Sequence, residues 1–480
     1  MVRGSCNRGA AIVLSGLLFA SGGGSLARGS DAPAATASPD QRIAELEKRV
    51  AELEALLRKT LEGSSSPEVA ELKRRLDLLT KELEAAKMGE AAEPRTLEPK
   101  YGLGPSASKV YGVSRGVSIG GYGEALVQDF AAETDEGERT GEQTNADMLR
   151  AVLYFGYKFN DTIVLNSEIE FEHASTGEGD EELGEVSVEF ATLDFLLKEQ
   201  ANVRAGLVLV PVGFINEMHE PPTFLGARRP DVERLIIPAT WREIGVGGFG
   251  DLGAFSWRAY VMTGLDAAGF EGSDGLREGR QNGAEAVARD LAFSARADFH
   301  GVPGLLVGAS FYQGESGQGA EDAAGDVIGG QVTMYDVHAE YNFKGLQMRG
   351  LWTEVTVDDA GEINRDILGL DPLIDPTVAP EGVGETMNGW YLQAGYDVLT
   401  FAGEETKQAV IPFVRYERYD TQDEVPDGFT TTGENDVKVV TYGVSWKPIL
   451  NLAIKADFQD YDRGDGSGTD QFNVAIGYLF

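Results

Sequence analysis

Four arginines crowd the stretch between positions 213 and 242. They are Arg228, Arg229, Arg234 and Arg242, and Glu217, His219, Glu220, Asp231 and Glu233 stand among them. A guanidinium is permanently charged and grips carboxylate or phosphate oxygens through paired N–H donors. Such a set can hold a small anion in passing, or fix the sign of the field at a narrow point. By itself it does no nucleophilic or acid–base chemistry. The chain has 4 histidines, His173, His219, His300 and His338, and neither a Ser/His/Asp spacing nor HExxH. The glycines of Gly120-Gly121-Tyr122-Gly123 have no helix after them and are strand glycines, not a dinucleotide loop. No catalytic residue, metal or cofactor is expected. A hydrolase would need a Ser and His pair on an outer face, where His173 is the one histidine on offer.

The stretch that carries these arginines is also apolar. Phe214, Ile215, Phe224, Leu225, Leu235, Ile236, Ile237 and Trp241 lie in it, whereas residues 131–145 hold no large apolar side chain. A loop of that composition requires a packing surface. The flanking sequence supplies one, because from Arg115 onward the apolar period is two. In Thr469 to Phe480 it is strict: Phe472, Val474, Ile476, Tyr478 and Phe480 share one side of a strand, with Gln471, Asn473, Ala475 and Gly477 on the other. Sixteen such strands are expected. Tight turns, such as Asn160-Asp161 and Lys344-Gly345, alternate with long loops such as 131–145 and 358–385. An even strand number with short turns at one end is the pattern of an all-β transmembrane barrel of 16 antiparallel strands. Tyr157, Phe159, Tyr341, Phe343, Tyr396, Trp446, Tyr478 and Phe480 then form an aromatic girdle at the short-turn end.

In this register Arg150, Arg204, Arg258, Arg296, Arg349, Arg415 and Lys455 face the lumen. Arg349 shares its parity with Leu351 and Val355. Glu124, Glu168, Glu170, Glu189, Asp298, Asp336, Glu340, Glu417 and Asp457 join them, giving opposed charged rows across a narrow water-filled pore. With the 213–241 loop folded inward, its charged residues would sit at a constriction. The other use open to that loop is to cap a neighbouring subunit.

Length and composition agree with a barrel. The chain has 480 residues, 61 glycines and a mean hydropathy of −0.20, as expected where only alternate residues meet lipid. Its longest apolar run, residues 10–20, is below the roughly 20 residues a spanning helix needs. A net charge of −37 argues against a nucleic-acid partner. Arg3 and Arg8, the apolar run and Ser25-Leu26-Ala27 read as a signal peptide over 1–27 that also carries away the single Cys6. A linker follows over 28–39, then a coiled coil over 40–87 whose seam is Ile43, Leu46, Val50, Leu53 and Leu57. The segment 88–115 reads as a second linker and 116–480 as the barrel. Short heptad runs need company, so a homotrimer is expected, with a dimer or a self-closing hairpin as the alternatives.

The 213–241 stretch, the segment Ile411-Pro412-Phe413-Val414-Arg415-Tyr416-Glu417-Arg418-Tyr419-Asp420-Thr421 and the closing strand together resemble the phosphate-selective porin O and P superfamily. The coiled coil is similar to that of its dicarboxylate-type members. The resemblance implies a trimer of 16-stranded barrels in the cell outer membrane that passes small solutes, often anions. The closing strand ending in Phe480 resembles the signal read by the barrel-assembly machinery. The acidic balance and the lack of a dense lysine and arginine ladder depart from the phosphate-specific members. A structural protein tethering the outer membrane to the cell wall through its coiled coil is the alternative reading.

Overall fold

The computed structural model describes residue 48 and residues 99–174, 184–370, 382–402 and 406–480. The signal peptide, the first linker and the seam positions Ile43, Leu46, Val50, Leu53 and Leu57 lie outside the described residues. Sixteen antiparallel strands close into one barrel in which every neighbour in sequence is a neighbour in space, and the first strand pairs with the last. They are β1 (Gly116–Phe130), β2 (Asn145–Lys158), β3 (Ile163–Glu172), β4 (Val186–Lys198), β5 (Ala201–Leu209), β6 (Arg242–Leu252), β7 (Phe255–Thr263) and β8 (Leu291–Val302). The second half comprises β9 (Leu305–Glu315), β10 (Gln331–Phe343), β11 (Leu346–Val357), β12 (Thr386–Tyr396), β13 (Ala409–Glu424), β14 (Asp436–Ile449), β15 (Leu452–Arg463) and β16 (Gln471–Leu479).

The two-residue period places the strands as expected. Along β16, Gln471, Asn473, Ala475, Gly477 and Leu479 are buried inside, while Phe472, Val474, Ile476 and Tyr478 are exposed on the outer wall. A lipid-facing wall makes such a row of exposed apolar side chains favourable. The seam closes with β1, where Leu126 pairs with Ala475 and Tyr122 with Leu479. Beyond the strand, Gly121 and Phe480 exchange backbone bonds of 3.0 and 2.9 Å. At the short-turn end Tyr157 meets Phe159 edge-on, Tyr341 stacks on Phe343 and Tyr396 stacks on Phe401, with Trp446, Tyr478 and Phe480 exposed beside them. The aromatic girdle is therefore present.

Connections differ from expectation in three places. Residues 199–200 form one more tight turn between β4 and β5. At the short-turn end the β12–β13 connection, 397–408, is the long one and carries a helical turn at Val398–Ala402. The β7–β8 loop, 264–290, not singled out from the sequence, buries Leu265, Phe270 and Leu276 inside the barrel, where Thr421 donates to the Gly272 carbonyl at 2.6 Å.

The stretch expected as a second linker also ends differently. Residues 99–112 fold back into the short-turn mouth, burying Leu103, Ala107, Val110 and Tyr111 against Tyr122, Val152, Tyr154, Val164, Phe190 and Leu479. Val110 lies over Gly156, where an added Cβ would come within 2.6 Å of its Cγ2. A side chain on that wall position would therefore exclude the segment.

Candidate functional site

The barrel interior holds every lysine and arginine expected there. Arg150, Arg204, Arg258, Arg296, Arg349, Arg415 and Lys455 are all buried. Carboxylate partners on the wall come from the same strand or a neighbouring one, because the pleat places i and i+2 residues and cross-strand pairs on one face. Arg204 holds Asp194 with both Nε and Nη2, at 2.8 and 2.9 Å. Arg296 reaches Asp298 two residues on at 2.9 Å, and Arg415 reaches Glu417 at 2.5 Å. Arg349 pairs with Glu340 across β10 and β11. Arg150 lies 3.6 Å from Glu124 and 3.5 Å from Glu170. These arginine charges, taken from water, are thus compensated by carboxylates, as burial demands.

The loop between β5 and β6, residues 210–241, is folded inward and is here called L3. Its apolar side chains supply the reason. Phe214, Val232, Leu235, Ile236, Ile237 and Trp241 join Tyr260, Met262, Tyr312, Met334, Leu351, Val355 and Tyr391 of the wall in one cluster. This corrects the picture of opposed charged rows across open water. Much of the wall from β7 to β15 is apolar and covered by L3 and residues 264–290, so Leu351 and Val355 share the parity of Arg349 because all three face the interior. The wall then pins the L3 backbone. Lys455 donates to the carbonyls of Pro221 and Gly226, Arg349 to that of Thr223 at 3.2 Å, Arg415 to that of Arg228 at 3.4 Å, and Arg296 to that of Gly213. Pro221 sits so close over Gly477 of β16 that an added Cβ would collide with it.

Most charged residues of L3 are bound into this network. Glu217 bridges Arg258 at 2.7 Å and Arg296 at 3.3 Å. Glu233 accepts from the Phe214 and Ile215 amides at 2.5 and 2.7 Å and from the Tyr391 hydroxyl at 2.6 Å. Asp231 takes Arg234 at 3.1 Å and the Tyr461 hydroxyl at 2.6 Å. Arg242, the first residue of β6, pairs with Glu189 at 2.7 Å. His219 reaches Glu168 at 3.1 Å; burial and the nearby Arg229 guanidinium hold its imidazole down at about 3, so it is neutral. Glu220 is pushed up to about 8 by burial, against two backbone amides that favour the charged form. Arg228 and Arg229 remain. Both are half-buried, and among the described residues neither has a carboxylate within ion-pair distance. Arg229 donates to the His219 carbonyl at 3.4 Å.

On the long-loop side of L3 lies a cavity of about 410 Å³ lined by Arg228, Arg234, Arg463, Tyr419, Tyr461 and Asn435 among others. The sequence reading missed Arg463 and both tyrosines as neighbours of L3. Tyr419, in the IPFVRYERYDT segment, has the parity of Arg415 and Glu417, and that was the available signal. On the short-turn side a second cavity of about 320 Å³ is lined by Arg349, Glu340, Phe224, Gln393 and Pro105 among others. On the outside, His173 Nδ1 lies 2.6 Å from Asp147. Among the described residues no serine, threonine or cysteine is hydrogen-bonded to that pair.

Fold and interior together define a sixteen-stranded transmembrane barrel of porin-like architecture with an inward-folded third loop. No family model matches the chain. It belongs to the same family as an uncharacterized protein of Aquifex aeolicus (strain VF5), to which it is 39% identical over 393 residues, 82% of this chain and 86% of that protein. Among solved structures it is similar in fold to OmpF of Salmonella typhi in complex with daunomycin, with a TM-score of 0.51 and 12% identity over 76% of this chain and 98% of that one. In-vitro folded OmpT of Vibrio cholerae, an outer membrane protein, in its trimer form, gives a TM-score of 0.45 and 13% identity over 77% of this chain and 100% of that one.

Proposed function

We propose that the chain is an outer-membrane porin that admits small hydrophilic solutes and favours small anions, with dicarboxylates and phosphate as the leading class. The observation that carries the anion preference is the state of Arg228 and Arg229. The other arginines of the interior are matched by carboxylates, whereas these two hold their charge on L3 without a carboxylate partner among the described residues. Position outweighs net charge here. Fields are screened over ~8 Å at physiological salt, so the acidic outer loops act little on an ion beside L3. A guanidinium in a poorly hydrated passage attracts a carboxylate or phosphate in two-point geometry. The resemblance to the phosphate-selective porin O and P superfamily supports the same class of solute.

In this reading the short turns face the periplasm, the coiled coil over 40–87 lies there, and its seam joins three chains. The barrel-assembly machinery takes up the closing strand. The test is the reversal potential in a salt gradient across a planar bilayer, for the parent and for Arg228→Ala with Arg229→Ala. The parent is expected to prefer anions and the double variant to lose that preference. A parent that prefers cations, or a variant that matches the parent, overturns the anion reading. Crosslinking that stops at two chains overturns the trimer.

A further inference from the structure

The segment 99–112 is inside the barrel but is not part of its sheet. Its own backbone bonds are internal: Lys100 and Leu103 pair at 3.2 and 3.1 Å, and Ser108 donates to Gly104 and Lys109 to Ser106. Among the described residues it makes no backbone-to-backbone bond to the wall. What holds it are side chains. The Glu220 carboxylate of L3 accepts from the Ser106 and Ala107 amides at 2.8 and 3.2 Å. Asn166 donates to the Ala107 carbonyl at 2.9 Å, Arg204 to that of Tyr101 at 3.1 Å, and Tyr111 donates to Asp194 at 2.5 Å. Ser106 Oγ donates to the Phe480 carbonyl at 2.5 Å and accepts from the Gly121 amide at 2.9 Å. The sheet does not need these bonds, since Gly121 and Phe480 also bond each other directly.

Its position spans the mouth. Tyr101 packs 5.0 Å from Phe249 of β6. Gly102, at φ +75°, lies where a Cβ would meet Arg258 Cδ at 2.6 Å, and its left-handed backbone favours glycine as well. Val110 covers Gly156 of β2. Pro105 borders the cavity of about 320 Å³ that Arg349, Gln393 and Leu479 also line. A further cavity of about 300 Å³, lined by Tyr101, Gly102, Phe249 and Arg258 among others, borders the segment as well.

We propose that residues 99–112 are a detachable plug that narrows the short-turn mouth and limits passage through it. The proposal rests on the channel reading above. A segment joined to the wall by side chains and a small apolar face can leave without breaking any rung of the barrel, while a 16-stranded wall by itself encloses an aqueous channel.

The test compares single-channel conductance in planar bilayers for the full chain, a deletion of 99–112, and the full chain carrying Leu103→Asp with Val110→Asp. Heat-modifiable migration reports that each barrel is closed. The deletion is expected to raise conductance about twofold or more, because a wall of this strand number is wide enough for a water-filled lumen. The double substitution should raise it too and should speed tryptic cleavage after Lys109, half-buried in the docked segment. If the deletion does not fold, the double substitution decides by both readouts. A conducting parent whose folded variants conduct no more than it does overturns the plug and leaves the channel standing. Silence from all three folded proteins overturns the channel reading, and the plug with it.

Discussion

The ammonium group of Lys455 on β15 donates to the Pro221 carbonyl of L3 at 2.8 Å, across 234 residues of sequence. A second bond of 2.8 Å goes to Gly226, and the Phe224 ring lies with its centroid 3.7 Å from the same nitrogen. One wall cation thus fixes three points of the inward loop. Replacing Lys455 with Met keeps the volume and removes the donors, leaving two buried carbonyls without this partner. The expected loss is about 1 to 3 kcal/mol in urea unfolding from detergent. Open-channel current noise should rise, because Pro221 and Gly226 lose their tie to β15 and, among the described residues, only the Asp457 bond to the Ala227 amide remains there. A quiet, equally stable variant would show that the Lys455 bonds are not needed to hold L3.

Glu217 is the shared acid of Arg258 and Arg296. Removing one partner from a buried ionic network usually costs several kcal/mol, but Asp298 still faces both guanidinium groups. Glu217→Ala is therefore expected to lose only about 1 to 3 kcal/mol of stability. It also frees positive charge beside L3, so the reversal potential should move toward anions. A shift toward cations would mean that these arginines do not face the permeating ion.

Glu220 titrates in an unusual range, its carboxyl raised by burial from the ordinary 4.5 to about 8. Between those values the folded chain holds a proton that the unfolded chain has released. The stability associated with the neutral acid is fully present below 4.5 and is lost progressively as the pH rises through 8. Burial costs the ionised Glu220 more than its bonds from the Ser106 and Ala107 amides return, so docking of residues 99–112 over it should loosen as the medium is made alkaline. Tryptic cleavage after Lys109 measured between about pH 5 and pH 9 should accelerate with pH in the parent. In Glu220→Gln, neutral throughout, that dependence should flatten, and in Glu220→Ala cleavage should be fast at every pH.

Ile476 stands on the outer face of β16 with Phe472, Val474 and Tyr478. An arginine there must enter hydrocarbon, at a cost of ~2 to 4 kcal/mol near the midplane. Ile476→Arg is expected to show that loss in refolding into lipid vesicles. Full tolerance would place this face away from lipid.

Period-two patterning determined the strand number, the face each strand turns to lipid and the lumen position of Arg150, Arg204, Arg258, Arg296, Arg349, Arg415 and Lys455. Side-chain alternation along an extended backbone is a local property, and a lipid-facing wall enforces it strictly. The inward fold of L3 was also legible, since Phe214, Ile236 and Trp241 have no favourable place in water. Partner choice was not. That Lys455 would meet Pro221, that Glu217 would serve two arginines, and that Arg228 and Arg229 would have no described carboxylate within ion-pair distance are consequences of which strands lie opposite one another once the barrel closes. The same holds for residues 99–112, whose Gly, Pro and Ser content reads as a linker in one dimension. Leu103 and Val110 are too few to predict burial by themselves. They find it because strand closure brings Tyr122, Tyr154, Phe190 and the bare backbone of Gly156 to one mouth, a surface that exists only in the tertiary structure.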